Sequence, residues 1–205
     1  MPGPTNNPPA PEPRGPLTVA GAGIAGSWQA LLLARAGFQV TLADSGGEDL
    51  RSATSWWAGG MLAPDCESES AEPVVVRLGR RSLDLWRTEF PELPFNGSLV
   101  VAHPRDRADF ERFSRLTAGY ERVGPERLAE LEPALAGRFS DALFFPGEGH
   151  LEPRRVLPLI HERARAAGAA TAFGRMVDPR KVEGTFIDCR GLSARDVFPD
   201  LRGVK

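Results

Sequence analysis

The stretch from Leu17 to Asp44, LTVAGAGIAGSWQALLLARAGFQVTLAD, decides the fold. Leu17 to Ala20 is a short apolar run of the kind that forms a buried strand, and Gly21-Ala22-Gly23-Ile24-Ala25-Gly26 follows at once. From Ile24 to Arg35 apolar residues recur at helical spacing, with Gly37 placed to end the helix. Phe38 to Ala43 reads as a second strand, closed by Asp44. Strand, glycine turn, helix and strand make a βαβ unit, which requires parallel strands joined by a right-handed crossover.

The turn itself carries chemistry. Three glycines at this spacing arise by chance about once in four chains of this composition, so the pattern alone is weak. Its position between a strand and a helix strengthens it, because there a dinucleotide pyrophosphate meets unpaired N–H groups and the positive end of a helix dipole. Gly21 suits the tight turn, Gly23 the close approach of a phosphate, and Gly26 close helix–strand packing. Asp44 stands where a carboxylate can accept from ribose hydroxyls, and its charge disfavours a 2′-phosphate.

Outward from this unit, Met1 to Pro16 holds seven prolines and no apolar period, and is expected to be a disordered lead-in. The loop Thr54-Ser55-Trp56-Trp57-Ala58-Gly59-Gly60-Met61-Leu62 is unusually apolar. It reads either as backbone that approaches a ligand closely or as a buried loop whose tryptophans fill core. Helices are expected over 74–90, 106–120, 125–131 and 153–167, and strands at 97–102, 142–145, 170–173 and 185–188. Phe186 to Ala194 repeats the strand, glycine turn and helix start of the first motif, either as a second cofactor edge or as an ordinary turn. The order is α/β, then a mixed segment, then α/β again.

Composition excludes several classes. Lys and Arg number 25 against 27 Asp and Glu, for a net charge of −2, so there is no polycationic field for nucleic acid or an anionic membrane. At 41% hydrophobic and 25% charged residues the chain has the balance of a globular protein. No apolar run approaches the ~20 residues of a membrane span, and no secretory signal is visible, so a cytoplasmic location is expected. Cys66 and Cys189 cannot by themselves build a disulfide framework or a zinc site. Cys66 lies between Asp65 and Glu67, which hold a thiol protonated. His103, His150 and His161 have no Cys or acid at metal-ligand spacing and read as surface or packing residues, and no metal is expected. Arg154 and Arg155 open a helix and read as a solvated face. The residues point to a dinucleotide cofactor without visible acid–base machinery.

Four segments in this order are similar to the FAD-dependent D-amino-acid oxidase family: the opening motif, SWWAGGMLAP (55–64), GEGHLEPRRVLPLI (147–160) and FIDCRGLSARDVFPDLRGVK (186–205). The second and fourth most resemble the glycine oxidases that supply thiazole synthesis in thiamine biosynthesis. The resemblance spans Leu17 to Lys205. It implies a Rossmann-like α/β FAD-binding domain in two parts, 17–94 and 152–205, with an inserted α+β substrate domain represented by 95–151. By the same resemblance Gly21, Ala22, Gly23, Ile24, Ala25 and Gly26 cradle the FAD pyrophosphate, and Asp44 holds the ribose. Thr54, Ser55, Gly59, Gly60 and Met61 line pyrophosphate and flavin, Val177 meets the adenine through its backbone, and Cys189 and Gly191 lie beside the cofactor.

Such enzymes oxidise a small amino acid to an imine by hydride transfer to the flavin, and O2 then accepts the electrons as hydrogen peroxide. Family members are longer, and their substrate-binding arginine is expected beyond Lys205, so no catalytic residue is assigned here. The resemblance leaves open a homo-oligomer at full length. Open alternatives are a D-amino-acid or sarcosine oxidase relative, a truncated non-catalytic fragment, and a nicotinamide dehydrogenase, which only the first βαβ unit supports.

Overall fold

The computed structural model describes residues Arg14–Asp200. The chain runs β1 (Arg14–Ala20), α1 (Ile24–Arg35), β2 (Phe38–Ala43), β3 (Met61–Leu62), α2 (Pro73–Glu89), β4 (Ser98–Val100) and α3 (Arg107–Leu116). It continues through β5 (Glu121–Val123), α4 (Pro125–Leu131), β6 (Ala142–Phe145), β7 (Gly149–His150), α5 (Pro153–Ala166), β8 (Ala170–Ala172) and β9 (Thr185–Asp188). These elements gather into two compact units, one from the stretches up to Ala58 and from Pro153 onward, the other from Gly59–Glu152.

The first unit is built on a wholly parallel sheet of order β8-β2-β1-β9. Leu17, Val19, Val40 and Leu42 are buried, as the apolar runs at these strands require of a sheet covered on its faces. The expected order of strand, turn, helix and strand is present, and the α/β class stands. The lead-in needs a correction. β1 begins at Arg14 rather than Leu17, and its pairing with β2 is irregular between Arg14 and Pro16. Proline has no N–H to give to a ladder, so a strand start at this position carries no strand-like signature. The rest of the expected lead-in, residues 1–13, lies outside the described residues.

α1 packs on β1 and β2, and α5 packs on α1. α1 buries Gly26, Ser27, Ala30, Leu31 and Ala34, and the small residues at four-residue spacing bring it close to its neighbour. α5 answers with Val156, Leu157, Ile160, His161 and Ala164. Both helices end at a glycine in the left-handed region, Gly37 (φ 84°) and Gly168 (φ 98°), where any other residue is strained.

The second unit holds an antiparallel sheet of order β4-β6-β5 and a short β3–β7 ribbon. Every residue of β6 is buried. On one side it packs with Val123 and Leu128, and on the other Phe145 meets Phe113 and Tyr120 at ring distances of 6.3 and 5.5 Å. Glu148, fully buried, binds a loop to this sheet. Its Oε1 accepts from the N–H groups of Asp65 (2.8 Å) and Cys66 (2.7 Å), and its Oε2 accepts from the Cys66 thiol (3.1 Å). Arg87 donates to the Gly147 carbonyl at 2.6 Å. These bonds gather 65–87 around the turn after β6, so this unit starts at Gly59, well before residue 95. The helix expected over 106–120 ends at Leu116, and Gly119 (φ 89°) turns the chain into β5. β3, β5 and β7 have two or three residues each, too few for an alternating pattern to reveal.

Candidate functional site

In a parallel sheet the C-terminal ends of the strands lie along one edge, and ligands bind in the crevice outside it. Here the ends of β1, β2 and β9 open onto a groove of about 350 Å³. It is lined by Gly21, Gly23, Ile24, Ala25, Asp44, Thr54, Ser55, Val177, Cys189 and Gly191 among others, all in the first unit.

The three glycines of the motif do different work. Gly21 ends β1 at φ 103° and donates its N–H to Ala43 at 2.8 Å, and a Cβ there would collide with the Cys189 carbonyl. A Cβ on Gly26 would collide with the Gly21 carbonyl. Both positions are therefore demanded by the fold. Gly23 is not: its φ is −72°, and the nearest atom to an added Cβ is the Ser55 hydroxyl at 3.2 Å. A methyl group at this position would press on that hydroxyl, which a side-chain shift can relieve, and would take space in the groove.

Gly23 is also the N-cap of α1, and it has no side chain to cap with. Helix geometry leaves the first N–H groups without intrahelical partners. Ser55 Oγ accepts from Ile24 N–H at 3.0 Å, while no cap side chain serves Ala25. Unpaired donors at the positive end of a 12-residue helix, behind a side-chain-free turn, suit a diphosphate.

Asp44 is held by backbone. Its Oδ2 accepts from Ala22 N–H and its Oδ1 from Gly46 N–H, each at 2.7 Å. Oδ1 also takes the Ser52 hydroxyl at 3.5 Å, while Oδ2 keeps a second lone pair for a hydroxyl donor. The facing wall is tied to the same strand end: Gly174 N–H donates to Gly46 (2.8 Å) and Arg175 N–H to Asp44 (3.1 Å), which places Val177 on the groove. At β9, Cys189 N–H donates to Ala20 at 2.7 Å, and Arg190 pairs with Asp188 at 2.7 Å within the turn. Burial first and Asp188 second push the Cys189 thiol above its ordinary pKa, and burial with Glu148 does the same at Cys66. Neither is a thiolate nucleophile at neutral pH.

Ala22 and Gly26 lie beneath the groove, buried, rather than on its surface. Gly59, Gly60 and Met61 belong to the second unit, where Gly60 accepts from Leu151 N–H at 2.8 Å and Met61 is 63% exposed. The buried-loop alternative for 54–62 does not hold: Trp57 is 65% exposed, donates to the Arg51 carbonyl at 2.9 Å and lies under the Arg154 guanidinium. Thr54–Trp57 form a 3-10 turn with no buried residue.

Sequence reading missed Ser52, Arg175, Met176 and Arg190 on the groove. It also missed a polar pair under the motif. His161 Nε2 lies 2.7 Å from Ser27 Oγ, with both residues buried. The helical period of α5, which places His161 on the face of Leu157 and Ala164, was the available signal. This is not a nucleophile–base pair, because Ser27 is inaccessible and its hydroxyl reaches the Gly23 carbonyl at 2.8 Å. Among the described residues no cluster of His, Cys, Asp or Glu could hold a metal ion, and no helix is long and apolar enough to cross a membrane.

The family model for the DAO FAD dependent oxidoreductases matches residues 17–202. A Rhizobium etli protein, provisionally named the thiamine biosynthesis oxidoreductase ThiO, is 42% identical over 190 residues, covering 92% of this chain and 58% of that one. A Maricaulis maris bifunctional protein, MnmC, named for biosynthesis of tRNA 5-methylaminomethyl-2-thiouridine, is 29% identical over 92% of this chain and 32% of its own. Glycine oxidase from Geobacillus kaustophilus shares the fold with a TM-score of 0.71 at 19% identity, over 87% of this chain and 56% of that one. Iminodiacetate oxidase from Chelativorans sp. BNC1 does so with a TM-score of 0.66 at 23% identity, over 89% and 57%. The chain thus spans a little over half the length of the ThiO protein and of these two oxidases. With the glycine turn, the parallel sheet and the family match in agreement over nearly every described residue, the chain belongs to the DAO family of FAD-dependent oxidoreductases.

Proposed function

We propose that the groove holds the ADP half of FAD, and that the protein oxidises a small amino acid, glycine foremost, for thiazole formation in thiamine biosynthesis in the cytoplasm. The observation that carries the cofactor part is Gly23, a glycine with an ordinary φ and no backbone against it, standing where its missing side chain opens the groove at the start of α1. Bound FAD supplies the two-electron oxidation of an amine to an imine, with O2 as the final electron acceptor and hydrogen peroxide as product.

The chain's own residues hold and orient. The Gly21–Gly26 turn meets the diphosphate with backbone N–H groups, which neutralise charge without a cationic side chain. Asp44 accepts from a ribose hydroxyl through Oδ2, which has Ala22 N–H as its one protein donor, and through Oδ1 where the ribose displaces the long Ser52 bond. Val177 borders the adenine end, Thr54 and Ser55 stand at the diphosphate end, and Cys189 and Gly191 close the side formed by β9. Gly59, Gly60 and Met61 are assigned to the flavin end on the resemblance of SWWAGGMLAP alone.

The substrate reading is supported by the 42% identity to the Rhizobium etli ThiO protein. The experiment is a peroxide assay on the FAD-loaded protein with glycine, sarcosine and D-alanine compared. Fastest turnover of glycine is expected, and peroxide from none of the three would overturn the substrate assignment.

A further inference from the structure

Beneath the glycine turn, on the side away from the groove, lies a buried polar chain that links two helices to two backbone carbonyls. His161, 2% exposed on α5, places Nε2 2.7 Å from Ser27 Oγ and 3.3 Å from the Ala22 carbonyl oxygen. Ser27, fully buried on α1, places its hydroxyl 2.8 Å from the Gly23 carbonyl and 3.2 Å from that of Ala22. A carbonyl only accepts, and the Ala22 contact on that ground assigns the proton to Nε2; in this tautomer Nε2–H donates to Ser27 Oγ and toward Ala22, and the Ser27 hydroxyl donates to Gly23. The imidazole is set in place by stacking on Phe173, at a ring distance of 5.9 Å and 17° between planes.

What this chain grips decides which way the turn's donors point. A trans peptide carries its C=O and N–H on opposite sides, and the described residues contain no cis peptide. An Ala22 carbonyl held inward toward His161 therefore turns the Gly23 N–H outward, to the groove that Gly23 lines. In the same way, a Gly23 carbonyl bound to Ser27 Oγ and Ser27 N–H (2.9 Å) turns Ile24 N–H toward the groove side, where Ser55 Oγ receives it. We infer that His161, acting through Ser27, is a positioning residue for cofactor binding: it locks the peptide planes of the glycine turn so that their N–H groups face the diphosphate. The inference rests on the reading of that turn as the diphosphate cradle. A second backbone tie, Asp44 to Ala22 N–H, acts from the strand side and leaves the carbonyl side to His161 and Ser27.

The test is the affinity of the 205-residue chain for ADP, measured by calorimetry at a temperature where circular dichroism shows each variant fully folded. Under that condition a role confined to stability leaves the dissociation constant unchanged. His161→Phe keeps the stacked ring and removes the donor, Ser27→Ala removes the relay, and His161→Gln restores an N–H. The dissociation constant is expected to rise about tenfold in H161F and in S27A, as one bond to a charged-group site is worth. The double variant is expected to lose less than the two single losses combined, because the His161–Ser27 bond is gone in either single variant, and H161Q to recover most of the loss. Should H161F not fold, S27A and H161Q carry the comparison. Unchanged ADP affinity in folded H161F or S27A, or additive losses in the double variant, overturns the positioning role while leaving the cradle intact. Absence of saturable ADP binding by the unsubstituted chain overturns the cradle itself, and this inference with it.

Discussion

The carboxylate of Asp44, at the end of β2, lies 2.7 Å from the backbone nitrogen of Ala22 in the turn after β1. One side chain thus ties two neighbouring strand ends together, while its other oxygen holds the Gly46 N–H. The residue read from sequence as a ribose acceptor is also the clasp of the loop it serves. Asp44→Ala is expected to lower stability by roughly 1–3 kcal/mol, since it strips two backbone donors of their partner, and to weaken ADP binding more than tenfold. Asp44→Asn keeps one acceptor oxygen and is expected to fall between. Thermal unfolding and calorimetry on the same samples separate the two effects.

The three motif glycines are expected to respond differently to alanine. At Gly21 and Gly26 the methyl meets backbone carbonyls that cannot move aside, so both variants should lose more than about 3 kcal/mol or not fold. At Gly23 the methyl meets no backbone carbonyl, only the Ala53 Cβ at 4.0 Å and the Ser55 hydroxyl at 3.2 Å, which can give by a few tenths of an ångström. Gly23→Ala should keep its melting temperature within about 2 °C and lose ADP affinity by at least an order of magnitude. A G23A variant that binds ADP normally would show that the open space at Gly23 serves something else.

Burial draws the pKa of His161 below its ordinary value, the nearby charge of Arg165 lowers it further, and the Ala22 carbonyl and Asp44 pull the other way. The unfolded chain then takes up the proton first as pH falls. Stability should therefore be lost as pH drops below about 6.5, the ordinary histidine value, toward the lower value of the folded state. In H161F this part of the pH dependence should vanish. Urea titrations at pH 7.5, 6.5 and 5.5 are the measurement, and an identical slope in both proteins would count against a buried neutral imidazole.

Cys66 and Cys189 should alkylate slowly. Both thiols are pushed up by burial and by carboxylates, Glu148 at one and Asp188 at the other. Iodoacetamide at pH 8 is expected to modify each at well below the rate of a free thiol. Glu148→Ala should speed labelling at Cys66 alone, since it removes the carboxylate that accepts from that thiol.

Much of the first unit was legible because its signals are local. Leu17–Ala20 and Phe38–Ala43 are continuous apolar runs, Gly37 and Gly168 sit at helix ends, and the spacing of Gly21, Gly23 and Gly26 names the turn. What was not legible depends on contacts distant in sequence. That Gly23 alone of the three has no backbone carbonyl against it follows from where Cys189 and Ser55 come to rest. The His161–Ser27 bond joins residues 134 positions apart, and a single histidine on an apolar helix face gives no hint of its partner. The reach of Glu148 to Asp65 and Cys66 is of the same kind, and it draws 65–87 into the second unit.

The central claim is that the groove over the glycine turn holds the ADP half of FAD. Its most direct measurement is a fluorescence titration of the chain with FAD, in the presence and absence of excess ADP, with NAD as comparison and Gly23→Ala as control. Saturable FAD binding that ADP displaces, that NAD does not match, and that G23A loses is the predicted result. FAD binding that neither ADP nor the Gly23 substitution affects, or no FAD binding at all, would contradict the claim.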